Sequence, residues 1–123
     1  YVRADEDETG ARLNGLGRYA ITLPASVPAN GFWSLSMYEI DPEGRLFFTE
    51  NALRRYAISA RTPNLRRNAD ETLTIKIQAD PPSEGETWLP SPAGPFALAF
   101  RLYLPTAPFL TGAWRLPPLR RIG

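Results

Sequence analysis

Phe96-Ala97-Leu98-Ala99-Phe100-Arg101-Leu102-Tyr103-Leu104 decides how this chain folds. Phe96, Leu98, Phe100, Leu102 and Leu104 take every second position, and Ala97, Ala99, Arg101 and Tyr103 fill the positions between. Successive side chains of an extended strand point to opposite faces, so this period of two predicts a half-buried β-strand with Arg101 on its more solvated face. The same pattern recurs on either side. Leu73, Ile75, Ile77 and Ala79 alternate with Thr74, Lys76 and Gln78, and Tyr19, Ile21 and Leu23 alternate with Ala20 and Thr22. Residues 32–40 predict a fourth strand, with Trp33, Leu35 and Met37 inward and Ser34 and Ser36 outward. Shorter strands are predicted at 46–48, at 56–59 and ahead of Thr9-Gly10.

Turn chemistry separates these runs. Asp41-Pro42-Glu43-Gly44 suits a type I turn, and Asn68-Ala69-Asp70-Glu71 is a polar turn before the Leu73 run. Asn14-Gly15 reads as a hairpin turn with weakly alternating flanks. The 13 prolines argue against long helices, since proline lacks the N–H and fixes φ. Residues 81–95 hold five of these prolines, two glycines and Trp88, and read as a long ordered loop. Residues 105–118 read as a loop or short turn of helix around Phe109-Leu110, followed by an extended tail. The fold class predicted is all-β: an antiparallel β-sandwich of jelly-roll type with little helix, forming one domain over residues 1–123.

Composition narrows the chemistry. Fourteen basic and 13 acidic residues leave a net charge of +1, too little to draw nucleic acid or an anionic membrane. There is no cysteine and no histidine. A thiolate nucleophile, a Ser-His-Asp arrangement and an H-E-x-x-H zinc site are therefore excluded, and no metal or cofactor is expected. No run of about 18 apolar residues occurs, so no membrane span is expected within this chain. The first residue is Tyr1 and no leader is visible, which reads as a processed or trimmed chain.

Five stretches occur together in order. They are Phe32-Trp33-Ser34-Leu35-Ser36-Met37-Tyr38, Arg55-Tyr56-Ala57-Ile58-Ser59-x-Arg61-Thr62-Pro63, Leu73-Thr74-Ile75-Lys76-Ile77-Gln78, Trp88-Leu89-Pro90-x-Pro92-x-Gly94-Pro95-Phe96 and Leu102-Tyr103-x-Pro105. With them the chain resembles the bacterial family called domain of unknown function 1214. The resemblance implies a jelly-roll β-sandwich, usually the C-terminal half of a protein that also carries a domain of unknown function 1254. It implies a companion domain as partner and an exported, periplasmic or envelope location, while exposed sheet edges and the tail 105–123 could pair with that companion domain or with a second copy in a homo-oligomer. It carries over no catalytic residue. Two loops depart from the family pattern. Asn51-Ala52-Leu53-Arg54-Arg55-Tyr56 lacks its proline, and Asp5-Glu6-Asp7-Glu8-Thr9-Gly10 is longer and more acidic.

Candidate site residues follow from residue type. Trp88, near Glu84 and Glu86, reads either as a platform for a sugar ring or as a plug over the open end of the sandwich. Tyr38, Tyr56 and Tyr103 sit beside the alternating core positions. With Arg55 and Arg61 they could hold a carboxylate or phosphate, or the arginines could be spent on Glu39, Asp41 or Glu50. Asp5-x-Asp7-x-Thr9-Gly10 resembles the start of a calcium loop, but the closing glutamate position is Leu16, so it reads as a solvated acidic hairpin, with a looser oxygen-ligand calcium site as the alternative. The function expected is a non-catalytic interaction or ligand-binding module. The alternative is a carboxylate-dependent hydrolase of glycan or ester type that completes a site with a companion domain.

Overall fold

The computed structural model describes residues 2–27, 31–48, 57–62, 65–83 and 85–123. Along the chain these form β1 (Val2–Ala4), β2 (Tyr19–Leu23), β3 (Trp33–Ile40), β4 (Leu46–Phe48) and β5 (Ala57–Ser59). Then come β6 (Leu73–Gln78), β7 (Thr87–Pro90), β8 (Phe96–Leu102), the short helix α1 (Ala107–Leu110) and β9 (Arg120–Arg121). One sheet runs β1-β8-β3-β4, with β5 also paired to β3. The other runs β7-β6-β2-β9. The architecture is the expected all-β sandwich. Among the described residues no helix is long and apolar enough to cross a membrane.

The alternating positions build one continuous core between the sheets. Trp33, Leu35, Met37, Ile58, Phe96, Leu98 and Phe100 come from the first sheet. Tyr19, Ile21, Leu23, Leu73, Ile75, Ile77 and Leu89 come from the second. Each such side chain contributes about 1.5–3 kcal/mol on leaving water. The backbone of the first sheet is the antiparallel pair β3 and β8, in register from Trp33 opposite Leu102 to Glu39 opposite Phe96. Tyr19 meets Phe96 edge-on across the two layers, ring centroids 5.7 Å apart.

Local chemistry sets the turns as expected. The Gly44 N–H donates to the Asp41 carbonyl at 2.9 Å, and the Asp41 carboxylate accepts the Glu43 and Arg45 N–H groups. The Glu71 N–H donates to the Asn68 carbonyl at 3.0 Å. Asn14-Gly15 also turns, with the Gly17 N–H on the Asn14 carbonyl. Instead of joining two strands, this turn lies against the segment ending at Pro95.

Three expectations are corrected. First, residues 81–95 are not all loop, because β7 lies inside them. It runs parallel to β6, so the sandwich is not wholly antiparallel, although the other six strand pairings among the described residues are. β6 ends at Gln78 and β7 begins at Thr87, so a short connection returns the chain along β6. Pro90 is tolerated because β7 is an edge strand. Second, β8 is not half-solvated over its length. Ala97 and Ala99, on its outer face, are buried, as are Ser34 and Ser36 beside them on β3. These small side chains lie beneath longer neighbours, where Arg101 reaches over to the Ser36 Oγ (3.4 Å) and the Tyr38 hydroxyl (3.3 Å). Third, the tail is more than an extended end. Leu119 is buried in the core, β9 pairs with β2, and Trp114 stacks on Phe100 at 5.9 Å.

Candidate functional site

Leu23 and Leu73 end one side of the second sheet and Trp33 begins β3, so the two layers part at this end of the sandwich. A slot of about 110 Å³ opens there, lined by Leu23, Val27, Phe32, Trp33, Leu73 and Arg67. Its volume is roughly that of three or four water molecules in the liquid. The lining is apolar apart from one guanidinium and the local backbone.

Phe32 forms the rim. The Arg61 guanidinium carbon lies 4.0 Å from its ring centroid, and the Tyr103 ring stacks on it at 4.3 Å and 20°. Two groups at those distances cannot share one face, so Phe32 is held between Arg61 and Tyr103. The cation–π contact contributes about 0.5–2 kcal/mol and aims the guanidinium. Backbone bonds pin the same corner. The Tyr103 N–H donates to the Phe32 carbonyl (2.8 Å) and the Gly31 N–H to the Tyr103 carbonyl (3.0 Å). A Cβ on Gly31 would sit 2.4 Å from that Tyr103 oxygen, so only glycine permits the approach.

The electrostatics of this mouth are basic. Among the described residues, Arg61 makes no ion pair, and its N–H donates to the Ser59 Oγ. Arg67 likewise has no carboxylate partner, and its Nη1 donates to the Glu71 carbonyl at 3.1 Å. Arg67 thus lines the apolar slot, and Arg61 lies against Phe32 on its rim. Phe32 and Arg67 carried no sequence signal that singled them out for this role.

The other proposed residues lie elsewhere. Tyr38 sits on the outer face of the first sheet with Arg101, Arg3 and Leu46, around a groove of about 170 Å³ floored by Ala97 and Ala99. Arg3 is bridged to Asp5 at 2.7 Å. Trp88 is neither in a loop nor over the end of the sandwich. It is half-buried on the outer face of the second sheet, its indole N–H on the Gln78 carbonyl at 2.9 Å. Arg55 and Tyr56 lie outside the described residues, as do Glu50 and Glu84.

The acidic hairpin is a structural device. The Asp7 carboxylate accepts the Thr9 N–H (2.8 Å), the Thr9 hydroxyl (2.6 Å) and the Ala11 N–H (3.1 Å). Among the described residues no three acidic groups are placed to hold a metal ion. The Thr9 hydroxyl above all, helped by those N–H groups, pulls the Asp7 carboxyl below its ordinary value of 3.8. A depressed folded-state pKa contributes stability above the ordinary value that is lost as pH falls through the folded one. Asp7→Asn is therefore expected to lower the melting temperature at pH 7. The gap should close in scans taken well below pH 3.8, and an equal gap at both would refute the assignment. Asp41, Asp70 and Asp80 are pulled down too, chiefly by the Arg45 N–H, the Thr72 hydroxyl and the Arg18 guanidinium respectively.

Comparison with known proteins adds the lineage. The family described as "Protein of unknown function (DUF1214)" matches residues 1–107. The chain belongs to this family. Two crystal structures show the same fold. The VPA0106 protein from Vibrio parahaemolyticus aligns with a TM-score of 0.85 and 22% identity, over 99% of this chain and 30% of that one. An uncharacterised protein from Burkholderia cenocepacia aligns with a TM-score of 0.60 and 17% identity, over 89% of this chain and 27% of that one. The DUF1214 chain thus spans less than a third of either. None of the curated proteins matches its sequence.

Beside the mouth, the DUF1214 chain stores strain. Leu104 has φ 57° and is 71% exposed, the left-handed conformation on a residue with nothing to gain from its side chain. That costs a non-glycine residue about 1–2 kcal/mol. Leu104→Gly is expected to raise the urea midpoint slightly, since relief of strain outweighs the extra freedom of the unfolded chain. A lowered midpoint would show that Leu104 is held by contacts.

Proposed function

We propose that this chain is a non-catalytic ligand-binding module whose slot at the sandwich mouth takes a small molecule with an apolar body and a carboxylate or similar oxyanion at one end. The observation that carries this reading is Arg67 in the lining of an apolar slot and Arg61 against Phe32 on its rim, neither with a carboxylate partner among the described residues. An apolar body gains from leaving water, while a guanidinium offers two parallel N–H donors to an oxyanion. Because Phe32 already orients Arg61, less side-chain freedom is lost on binding.

The alternative of a carboxylate-dependent hydrolase would call for an acid with a raised pKa. The described carboxyls with clear shifts all move the other way, as hydrogen-bonded anions. An exported or envelope setting is supported by the family resemblance. The far greater length of the two similar crystallised chains supports a companion domain as partner.

Calorimetric titration with hexanoate tests the reading. Hexanoate is expected to bind, the isosteric alcohol hexanol about tenfold more weakly, and Arg61→Gln or Arg67→Gln to weaken hexanoate by a similar factor. Equal binding of acid and alcohol, or no heat from either at millimolar concentration, would end it.

A further inference from the structure

The outer face of the second sheet carries a different kind of site. β6 turns Thr74, Lys76 and Gln78 to this face, opposite its core positions Leu73, Ile75 and Ile77. Two hollows open over it. One, of about 310 Å³, is bordered by Arg66, Asn68, Thr74, Lys76 and Glu86. The other, of about 350 Å³, is bordered by Arg18, Lys76, Gln78, Asp80 and Glu86. Sharing Lys76 and Glu86, they form one trench along β6. From Thr74 to Gln78 it runs roughly 13 Å, longer than a single sugar ring.

Both ends of the trench are locked and its middle is loose. At one end the Asn68 amide donates to the Thr74 hydroxyl (3.0 Å) and the Thr72 hydroxyl (2.9 Å), and Thr74 meets the Thr22 hydroxyl at 3.1 Å. At the other end Arg18 holds Asp80 through two bonds of 3.1 and 2.6 Å, and the Gln78 amide donates to the Asp80 carbonyl. Between them Lys76 and Glu86 stand 3.9 Å apart, the longest ion pair among the described residues. Trp88 is in register with Lys76 on the same face, its ring fixed by the bond to the Gln78 carbonyl.

We propose that this trench binds an extended acidic oligosaccharide. A small apolar ligand would need an apolar floor, which is missing. A sugar chain instead presents closely spaced hydroxyls that both donate and accept, matching amide, hydroxyl and carboxylate side chains already held in place by a rigid sheet. The charge balance among the described residues favours acid. Arg18 is matched by Asp80 and Lys76 by Glu86, while the Arg66 guanidinium meets no described carboxylate and reaches the Gly85 carbonyl at 3.5 Å.

The test is a titration of ¹⁵N-labelled protein with a linear hexa-uronate, with cellohexaose as the neutral comparison and polyacrylate as a polyanion without hydroxyls. Hexa-uronate is expected to shift the amides of Thr74, Lys76 and Gln78. Arg66→Gln and Lys76→Ala, each with an unchanged melting curve, are expected to weaken it about tenfold, and Arg61→Gln to leave it unaltered. Equal binding by cellohexaose would overturn the acidic class, and equal binding by polyacrylate would reduce the effect to bulk charge. No shifts along β6, or full binding by both variants, would remove the site.

Discussion

Gly15→Ala is expected to cost on the order of 3 kcal/mol or to abolish the folded state. A Cβ at Gly15 would lie 1.5 Å from the Pro92 carbonyl oxygen and 2.6 Å from its carbon. Both are backbone atoms, so no rotamer change relieves the clash. The segment around Gly15 is stitched to the same loop. The Gly15 N–H donates to the Gly94 carbonyl (2.9 Å), and the Phe96 N–H donates to the Leu13 carbonyl (3.3 Å). Pushing residues 92–94 away therefore unhooks the start of β8 and loosens Leu13, which is 1% exposed in the core. Gly94→Ala is the control, since nothing lies within 4 Å of its Cβ position. Urea midpoints should fall steeply for the first variant and stay near wild type for the second. Similar midpoints for the two would show that the loop yields and that close approach is not what Gly15 provides.

Phe100→Ala is the second large effect, about 3–5 kcal/mol, a heavy fraction of the roughly 5–15 kcal/mol that holds a domain of this size. Phe100 is fully buried, lies beside Leu35 across the β3–β8 ladder, and stacks between Trp33 (6.2 Å) and Trp114 (5.9 Å). Truncation leaves a cavity where the centre of the core meets the C-terminal tail. Two readouts should move together: the unfolding midpoint, and cleavage by protease within residues 105–118 under native conditions. Phe100→Leu, which keeps most of the volume, should lose far less. A destabilised Phe100→Ala protein with an unchanged tail would mean that Trp114 packs independently of Phe100.

Much of the core was legible because alternation states which residues go inside. Leu73, Ile75 and Ile77, Trp33, Leu35 and Met37, and Phe96, Leu98 and Phe100 are all buried where the pattern puts them. β7 was not legible. Thr87-Trp88-Leu89-Pro90 spans barely one cycle of alternation and ends in a proline, so its composition resembles a loop. Nothing local announces that it lies parallel to β6. The outward alanines and serines of β8 and β3 misled for a related reason. Period two says that they face away from the core, but not that Arg101 and Tyr38 lie over them.

The site divides in the same way. Tyr103 and Arg61 stand out by residue type, and the fold brings them to one place, on opposite faces of Phe32. Tyr38 was grouped with them and belongs instead with Arg101 and Arg3, because β3 pairs with β8 so that Tyr38 stands opposite Ala97. Nothing in the sequence around Arg67 singles it out. That it lines the mouth depends on where the chain before β6 runs.

The amino-acid sequence alone determined the class of fold, since a period of two is a property of neighbouring residues and needs no partner strand to be read. It also determined which chemistries are closed to this chain, through the absence of cysteine and histidine. The tertiary structure decided the strand order, the parallel β6–β7 pair, the closure of the core by Leu119 and Trp114, and that Arg67 lines the slot. Those depend on which distant backbone groups pair, and backbone hydrogen bonds are the same for every side chain, so no local pattern records them.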